Sequence, residues 1–117
     1  AFTPGCSQVH LPGYVQRAHE MAQRGVDRIV CLSVHDAWVM DAWARSQDVG
    51  DAITMVADGE GMFTTAMGLA QARRAGGLGN RSRRYAAILQ DGVIERLDVE
   101  PTRGVTVSAC ASVLQHL

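Results

Sequence analysis

Two side chains near the start of the sequence, in the stretch AFTPGC, have the types and spacing to do chemistry. Thr3 carries a hydroxyl that both accepts and donates hydrogen bonds. Cys6 follows three residues later, and Pro4 fixes the backbone that bears both groups. Apolar residues at near-helical spacing (Val9, Tyr14, Ala18, Met21, Ala22) predict a helix from Cys6 to Arg24, so the thiol falls in its first turn. Unpaired backbone N–H groups and the positive end of the helix dipole favour a thiolate there. Such a thiolate, held by a polar neighbour, attacks electrophiles. The competing reading is an inert cysteine packed in a core, the usual fate of a lone thiol. A loop-to-helix turn bearing Thr and Pro is not a typical core position, and on the residues alone both readings stay open.

The other candidates for chemistry are sparse. Cys31 and Cys110 complete an odd, widely spaced set that makes a poor disulfide framework. No CxxC occurs and no Cys/His spacing suits zinc, so a metal site is not expected. Free thiols fit a reducing compartment such as the cytoplasm. All 11 basic residues are arginine, which removes lysine Schiff-base chemistry. Arg81, Arg83 and Arg84 cluster in RSRR and read by themselves as a solvated loop end or an anion-binding patch. The formal net charge of -1 argues for neither nucleic acid nor a membrane surface as a partner, and neither is expected. No apolar run reaches membrane-spanning length, and the opening residues lack the basic and apolar regions of a signal peptide.

The elements that must position these groups follow from patterning. At 117 residues, 47% hydrophobic and 20% charged, the chain suits one domain with a modest core. Gly25 should stop the first helix, and Pro12-Gly13 should kink or break it. DRIVCLSV reads as a buried strand, HDAWVMDAWARSQDV as a helix capped by Asp36, and AITMVAD as a second strand. A short helix ending near Gly68 precedes a predicted loop from Gln71 to Arg84, rich in Arg and Gly. Asp91-Gly92 joins two apolar runs as a hairpin, and SACASVLQHL closes the chain as a helix. The order predicts an α/β fold, a mixed sheet with helices on both faces. A helix-first start is unusual for such a fold, and strands are expected upstream of Ala1.

The stretch AFTPGCSQVHLPGYVQRA closely resembles the peroxidatic motif of the peroxiredoxins, specifically the type-5 subfamily. That motif reads Pro-x-x-x-Thr-x-x-Cys, followed by Ser and a His-Leu-Pro-Gly stretch. Thr3, Cys6 and HLPGY match it. Further matches are RGVDRIVCLSVHDAWVMDAW, ITMVADGEGMFTTAMGL, RSRRYAAILQDGVIERLDVE and the terminal SVLQHL, so the resemblance spans essentially the whole chain.

The resemblance implies a thioredoxin-like fold and reduction of hydrogen peroxide and organic hydroperoxides, without a cofactor. It makes Cys6 the peroxidatic cysteine and Thr3 a hydrogen-bond partner of peroxide and thiolate. It places Pro4 and the Gly5 and Cys6 backbone at the substrate. It makes Arg84, in RRYAAIL, the cation beside the sulfur and leaves Arg81 and Arg83 on the surface. Guanidinium suits that task because it stays charged and donates several hydrogen bonds.

The family's motif proline would lie two residues before Ala1, so an N-terminally incomplete domain over residues 1–117 is expected. His35 stands where the subfamily usually has Asn and is given no catalytic role. His10 is expected to be structural, and His19 and His116 to lie on the surface. Cys31 is expected to be a buried core thiol. Cys110 is a possible resolving cysteine, about one helical turn later than in some type-5 members. One-cysteine chemistry with glutathione, glutaredoxin or thioredoxin as reductant is favoured. A homodimer is expected, with AWVMDAW and Gly77-Leu78-Gly79 as candidate interfaces, although at least one of Trp38 and Trp43 should pack in the core. The alternatives are a non-catalytic truncated domain and a thioredoxin-fold protein-disulfide oxidoreductase, the latter disfavoured by the missing CxxC.

Overall fold

A computed structural model describes all 117 residues. The chain enters helix at Pro4, passes through a π-helical turn at Cys6–His10, and continues as α1 (Leu11–Gln23). Gly25 ends it in the left-handed region (φ 91°). There the Gly25 N–H donates to the Ala22 carbonyl and the Val26 N–H to the Met21 carbonyl, both at 3.1 Å, the pairing of a Schellman stop.

Strand β1 (Val30–Ser33) pairs in parallel with β2 (Thr54–Ala57). Between them runs α2 (Ala37–Ser46), capped by the Asp36 carboxylate, which accepts the Val39 N–H at 2.8 Å. The Asp58 carboxylate does similar work for the short α3 (Met62–Ala66), accepting the Phe63 and Thr64 amides and the Thr64 hydroxyl.

The segment predicted as a loop, Gln71 to Arg84, is in fact a second hairpin. Strand β3 (Ala70–Arg73) pairs antiparallel with β4 (Gly79–Ser82) around a 3₁₀ turn at Arg74–Gly76. It carries almost no apolar alternation, so its backbone ladder left no trace in the hydrophobic pattern. The Asp91-Gly92 hairpin forms as predicted, between β5 (Tyr85–Gln90) and β6 (Val93–Val99). Both turn residues have positive φ (51° and 79°), as a two-residue type I′ turn requires. A short α4 (Cys110–Leu114) ends the chain.

Parallel and antiparallel pairs are both present, and they form three two-stranded ladders rather than one continuous sheet. The physical reason is that no strand of this chain hydrogen-bonds to the second edge of β1 or of β5. Side chains, not a shared ladder, therefore join the parts. Leu11, Met40, Trp43, Val49 and Ile53 form one buried cluster between α1 and α2, with Cys6, Ile29 and Cys31 against it. Met21, Cys110, Val113 and Leu114 form a second between α1 and α4, with Ala86 and Ile88 of β5 against it. Helix α1 thus contributes to both clusters, and its first turn is fixed relative to β1, α2 and β5. Trp43 is buried at 3% exposure, whereas Trp38 is 83% exposed, so one tryptophan belongs to the core and the other to the surface.

Candidate active site at the start of the first helix

The site begins with the helix entry. The Thr3 carbonyl accepts the Ser7 N–H at 2.9 Å, which closes the first turn and places Pro4 at its first position, where the missing N–H costs nothing. The Gly5 and Cys6 amides belong to the first turn and have no carbonyl behind them in the helix. The interruption predicted at Pro12-Gly13 takes the form of the π turn just before it. The Leu11 N–H reaches back to the Cys6 carbonyl, one residue further than in an α-helix. Pro12 has no N–H, and its ring would crowd the carbonyl four residues back; a widened turn relieves that crowding without ending the helix. The Trp43 Nε1–H donates to the Ser7 Oγ at 2.9 Å and ties the same turn to α2.

Arg84 arrives from the opposite end of the chain, one residue before β5. Its Nη2 donates to the Cys6 Sγ at 3.3 Å. Its Nη1 donates to the Arg103 carbonyl at 2.9 Å and the Gly104 carbonyl at 3.1 Å. Gly5 makes room for this approach: a Cβ there would lie 3.0 Å from Nη2 and 3.4 Å from Nη1. The half-buried Cys6 thiol feels opposing influences. Burial raises its pKa, while hydrogen bonds from Thr3 and Arg84 and the Arg84 charge lower it, and the net shift is downward. Thr3, Gly5, Cys6 and Arg84 are therefore assembled at one point. Pro4, beside them, is exposed.

A second layer supports this point. The Ser108 side chain is fully buried, and its carbonyl accepts the His10 Nε2–H at 3.0 Å and the Tyr14 O–H at 2.7 Å. Burial keeps His10 neutral more readily than usual and holds the Tyr14 hydroxyl protonated. Glu100, buried at the end of β6, accepts the Ser108 N–H and hydroxyl at 2.9 and 2.8 Å. It also accepts the Thr106 hydroxyl at 2.6 Å and the Thr106 N–H at 2.5 Å. Burial alone would raise this carboxyl, but the four donors bring it down to about 2. Nothing in the spacing of DVEPTRGVTVSAC singled out Glu100, because its four donors, two backbone N–H groups and two hydroxyls, are brought to it only by the folding of the loop that follows.

Arg81 is not the surface residue expected. It is half-buried, its Nε donates to the Leu78 carbonyl at 2.8 Å, and its Nη1 contacts the His35 Nε2. With that nitrogen accepting, the His35 Nδ1 carries the proton and donates to the Ser33 Oγ at 2.7 Å. Burial first, with the Arg81 charge adding to it, pushes His35 down to about 4. Arg83 stays exposed and donates to the Glu100 carbonyl at 3.2 Å.

The other thiols are not brought to the Arg84 guanidinium. Cys31 is partly buried against the first cluster, and burial pushes its thiol up to about 11. Cys110 is buried in the second cluster, with burial raising its thiol, and its Cβ lies 3.9 Å from where a Gly13 Cβ would sit. Gly13 is about 10 Å along the helix from Cys6. Two surface depressions are lined elsewhere, one by residues including Thr64, Gln71 and Arg81, the other by residues including Met40 and Ile53.

A low-pKa cysteine in the first turn of a helix, faced by an arginine from the start of a strand, defines a thiol-redox protein of the α/β class. Comparison with known proteins places it more narrowly. The family model described as Redoxin matches residues 1–114. Peroxiredoxin-2E, chloroplastic, of Arabidopsis thaliana is 43% identical over 119 residues, covering 100% of this chain and 51% of that protein. Peroxiredoxin-2B of the same plant is 41% identical over 117 residues, covering 72% of its length. Reduced Prx3 of Vibrio vulnificus in complex with H₂O₂ superposes with a TM-score of 0.95 at 44% identity, covering 100% of this chain and 75% of that one. The chain belongs to the redoxin family, among the peroxiredoxins, and has their thioredoxin-like fold. It spans about half the length of the first of these relatives.

Proposed function

We propose that this protein is a thiol peroxidase acting on hydrogen peroxide and organic hydroperoxides at Cys6. One observation carries the reading: the Arg84 guanidinium donates to the Cys6 sulfur at 3.3 Å, on a thiol already placed among free helix amides. The arrangement stabilises the nucleophile and leaves donors for an incoming oxygen.

The thiolate sulfur attacks one peroxide oxygen. An S–O bond forms as the O–O bond breaks, and the second oxygen leaves with the electron pair. It takes a proton to become water or an alcohol. The sulfur is oxidised by two electrons to the sulfenic acid and the peroxide is reduced by two, so the step needs no metal or cofactor. The Gly5 and Cys6 amides, Thr3 and Arg84 are the donors for the developing oxyanion, with Pro4 forming the wall beside them.

A thiol of glutathione, glutaredoxin or thioredoxin then attacks the sulfenic sulfur, forming a disulfide and releasing water, and a second thiol reduces that disulfide. The distance along α1 between Cys6 and the site of Cys110 favours this external resolution over an internal one. We read residues 1–117 as one domain of type-5 character. Its homodimer would use the face that carries the exposed Trp38. Three free thiols favour a reducing compartment, either the cytoplasm or an organelle such as the one named for Peroxiredoxin-2E. The test is stoichiometric oxidation by peroxide of the parent and of Cys6→Ser. The parent is expected to consume peroxide rapidly; a Cys6→Ser protein that does so equally fast overturns the reading.

A further inference from the structure

The reactive pair comes from two ends of the chain, and something must hold Cys6 and Arg84 in register. Two separate attachments meet at one side chain. On the helix side, His10 and Tyr14 of the cysteine-bearing helix both donate to the Ser108 carbonyl, and Ser108 donates its N–H and hydroxyl to Glu100. On the arginine side, the Arg103 and Gly104 carbonyls hold the Arg84 Nη1, and two residues on, Thr106 donates its N–H and hydroxyl to Glu100. The strand closes the circuit, because the Glu100 N–H donates to the Arg84 carbonyl at 2.8 Å.

We propose that Glu100 is a positioning residue for the Cys6 thiolate. Its carboxylate folds residues 101–108 into the loop whose carbonyls aim the Arg84 guanidinium at the sulfur and whose Ser108 anchors the helix. Glu100 touches neither the sulfur nor any incoming peroxide and acts through Arg84. The inference rests on the thiol-peroxidase reading for its consequence, but its geometry does not depend on it.

An isolated buried carboxylate would be expensive, and this one is retained where a neutral side chain would cost less to bury. Ionisation explains its use: a carboxylate accepts from four donors at once, here three on Oε1 and one on Oε2, and no neutral side chain of that length does so. Glu100→Gln keeps the shape but removes the charge and turns one accepting oxygen into an amide that donates, so either the Thr106 hydroxyl alone or the Thr106 N–H together with both Ser108 donors loses its acceptor.

The test is the pH dependence of Cys6 alkylation by iodoacetamide, measured on Cys31→Ala/Cys110→Ala protein with thermal unfolding recorded alongside. Arg84, Thr3, the Ala1 amino group and, in the parent protein, Cys31 are the groups facing Cys6 that bear on this titration. Glu100→Gln is expected to move the alkylation midpoint upward and to slow alkylation below it by about threefold or more, as weakening a neighbouring cation does. In an Arg84→Met background the same substitution is expected to add nothing further, because the two act in series. Thr106→Val removes one donor to Glu100 and should give a smaller shift in the same direction, which keeps the test open if Glu100→Gln fails to fold.

An unchanged midpoint in folded Glu100→Gln and in Thr106→Val overturns the proposal, as does a full additional effect in the Arg84→Met background. Failure of the peroxidase reading looks different. The Glu100 shift would be present while the parent protein left hydroperoxides unreduced.

Discussion

Replacing Gly5 by alanine separates the fold from the chemistry. The backbone at Gly5 is helical (φ -61°, ψ -41°), so alanine fits without strain and should raise stability by about 0.4–1 kcal/mol through the unfolded chain. The new Cβ, however, would sit 3.0 Å from the Arg84 Nη2, a few tenths of an ångström inside ordinary contact. The guanidinium cannot retreat freely, because the carbonyls of Arg103 and Gly104 hold it from behind at 2.9 and 3.1 Å. Its 3.3 Å bond to the sulfur must therefore lengthen. A hydrogen bond to a charged group contributes about 1.5–3 kcal/mol, and losing about half of one is about 1 kcal/mol. That corresponds to about fivefold less thiolate at a pH below the thiol's titration. The assay is iodoacetamide alkylation of Cys6 across pH, with thermal unfolding of the same samples. The expected result is a protein that melts no lower than the parent and alkylates about fivefold more slowly. Alkylation at the parental rate would refute the argument that the Arg84 contact sets the thiol's acidity.

Four further outcomes follow from the same geometry. Arg84→Met should leave the protein folded and slow single-turnover peroxide reduction by about 10²-fold or more, as loss of an oxyanion donor does; a change under threefold would remove Arg84 from the chemistry. Cys110→Ala should leave the first oxidation step and turnover with glutathione intact, measured by peroxide consumption, whereas lost turnover would make Cys110 the resolving thiol. Trp43→Ala should destabilise by about 3–5 kcal/mol in denaturant unfolding, because only 13 of the 117 residues are buried and this is the largest of them. Glu100 titrates near 2 in the folded chain against an ordinary 4.5, so its contribution is present above about 4.5 and is lost as pH falls toward 2. Acid unfolding of Glu100→Gln should accordingly be flatter than that of the parent across this window.

Much of the scaffold was legible because it depends on local signals. Gly25 ends its helix as a left-handed cap, Asp36 caps the next helix, and Asp91-Gly92 makes its hairpin, each through chemistry confined to a few residues. The hairpin at Ala70–Ser82 escaped because its ladder is backbone pairing without an apolar face. Pro12 announced an irregularity but not its form, since whether a helix breaks, bends or widens depends on what holds both sides of it. At the site, Thr3 and Cys6 could be read from their spacing and place at the helix start. Arg84 could not; it was picked out of RSRR only by resemblance to a family, because nothing local tells which of three arginines reaches a sulfur 78 positions away. Glu100 and the space-making role of Gly5 lay beyond reach for different reasons. The donors to Glu100 are only six and eight residues on, but no periodic pattern marks the loop that wraps them around the carboxylate. Gly5 is defined by a partner remote in sequence, Arg84, and by the absence of a side chain rather than the presence of one.

The central claim is that Cys6 is the thiol that hydroperoxide oxidises, and it is tested most directly by locating the first added oxygen. The parent protein, fully reduced, is treated with substoichiometric hydrogen peroxide, trapped with a sulfenic-acid reagent and mapped by mass spectrometry. The account predicts the adduct on Cys6 almost alone, with Cys31 and Cys110 unmodified. An adduct first on Cys31 or Cys110, or one spread evenly over the three thiols, would contradict it.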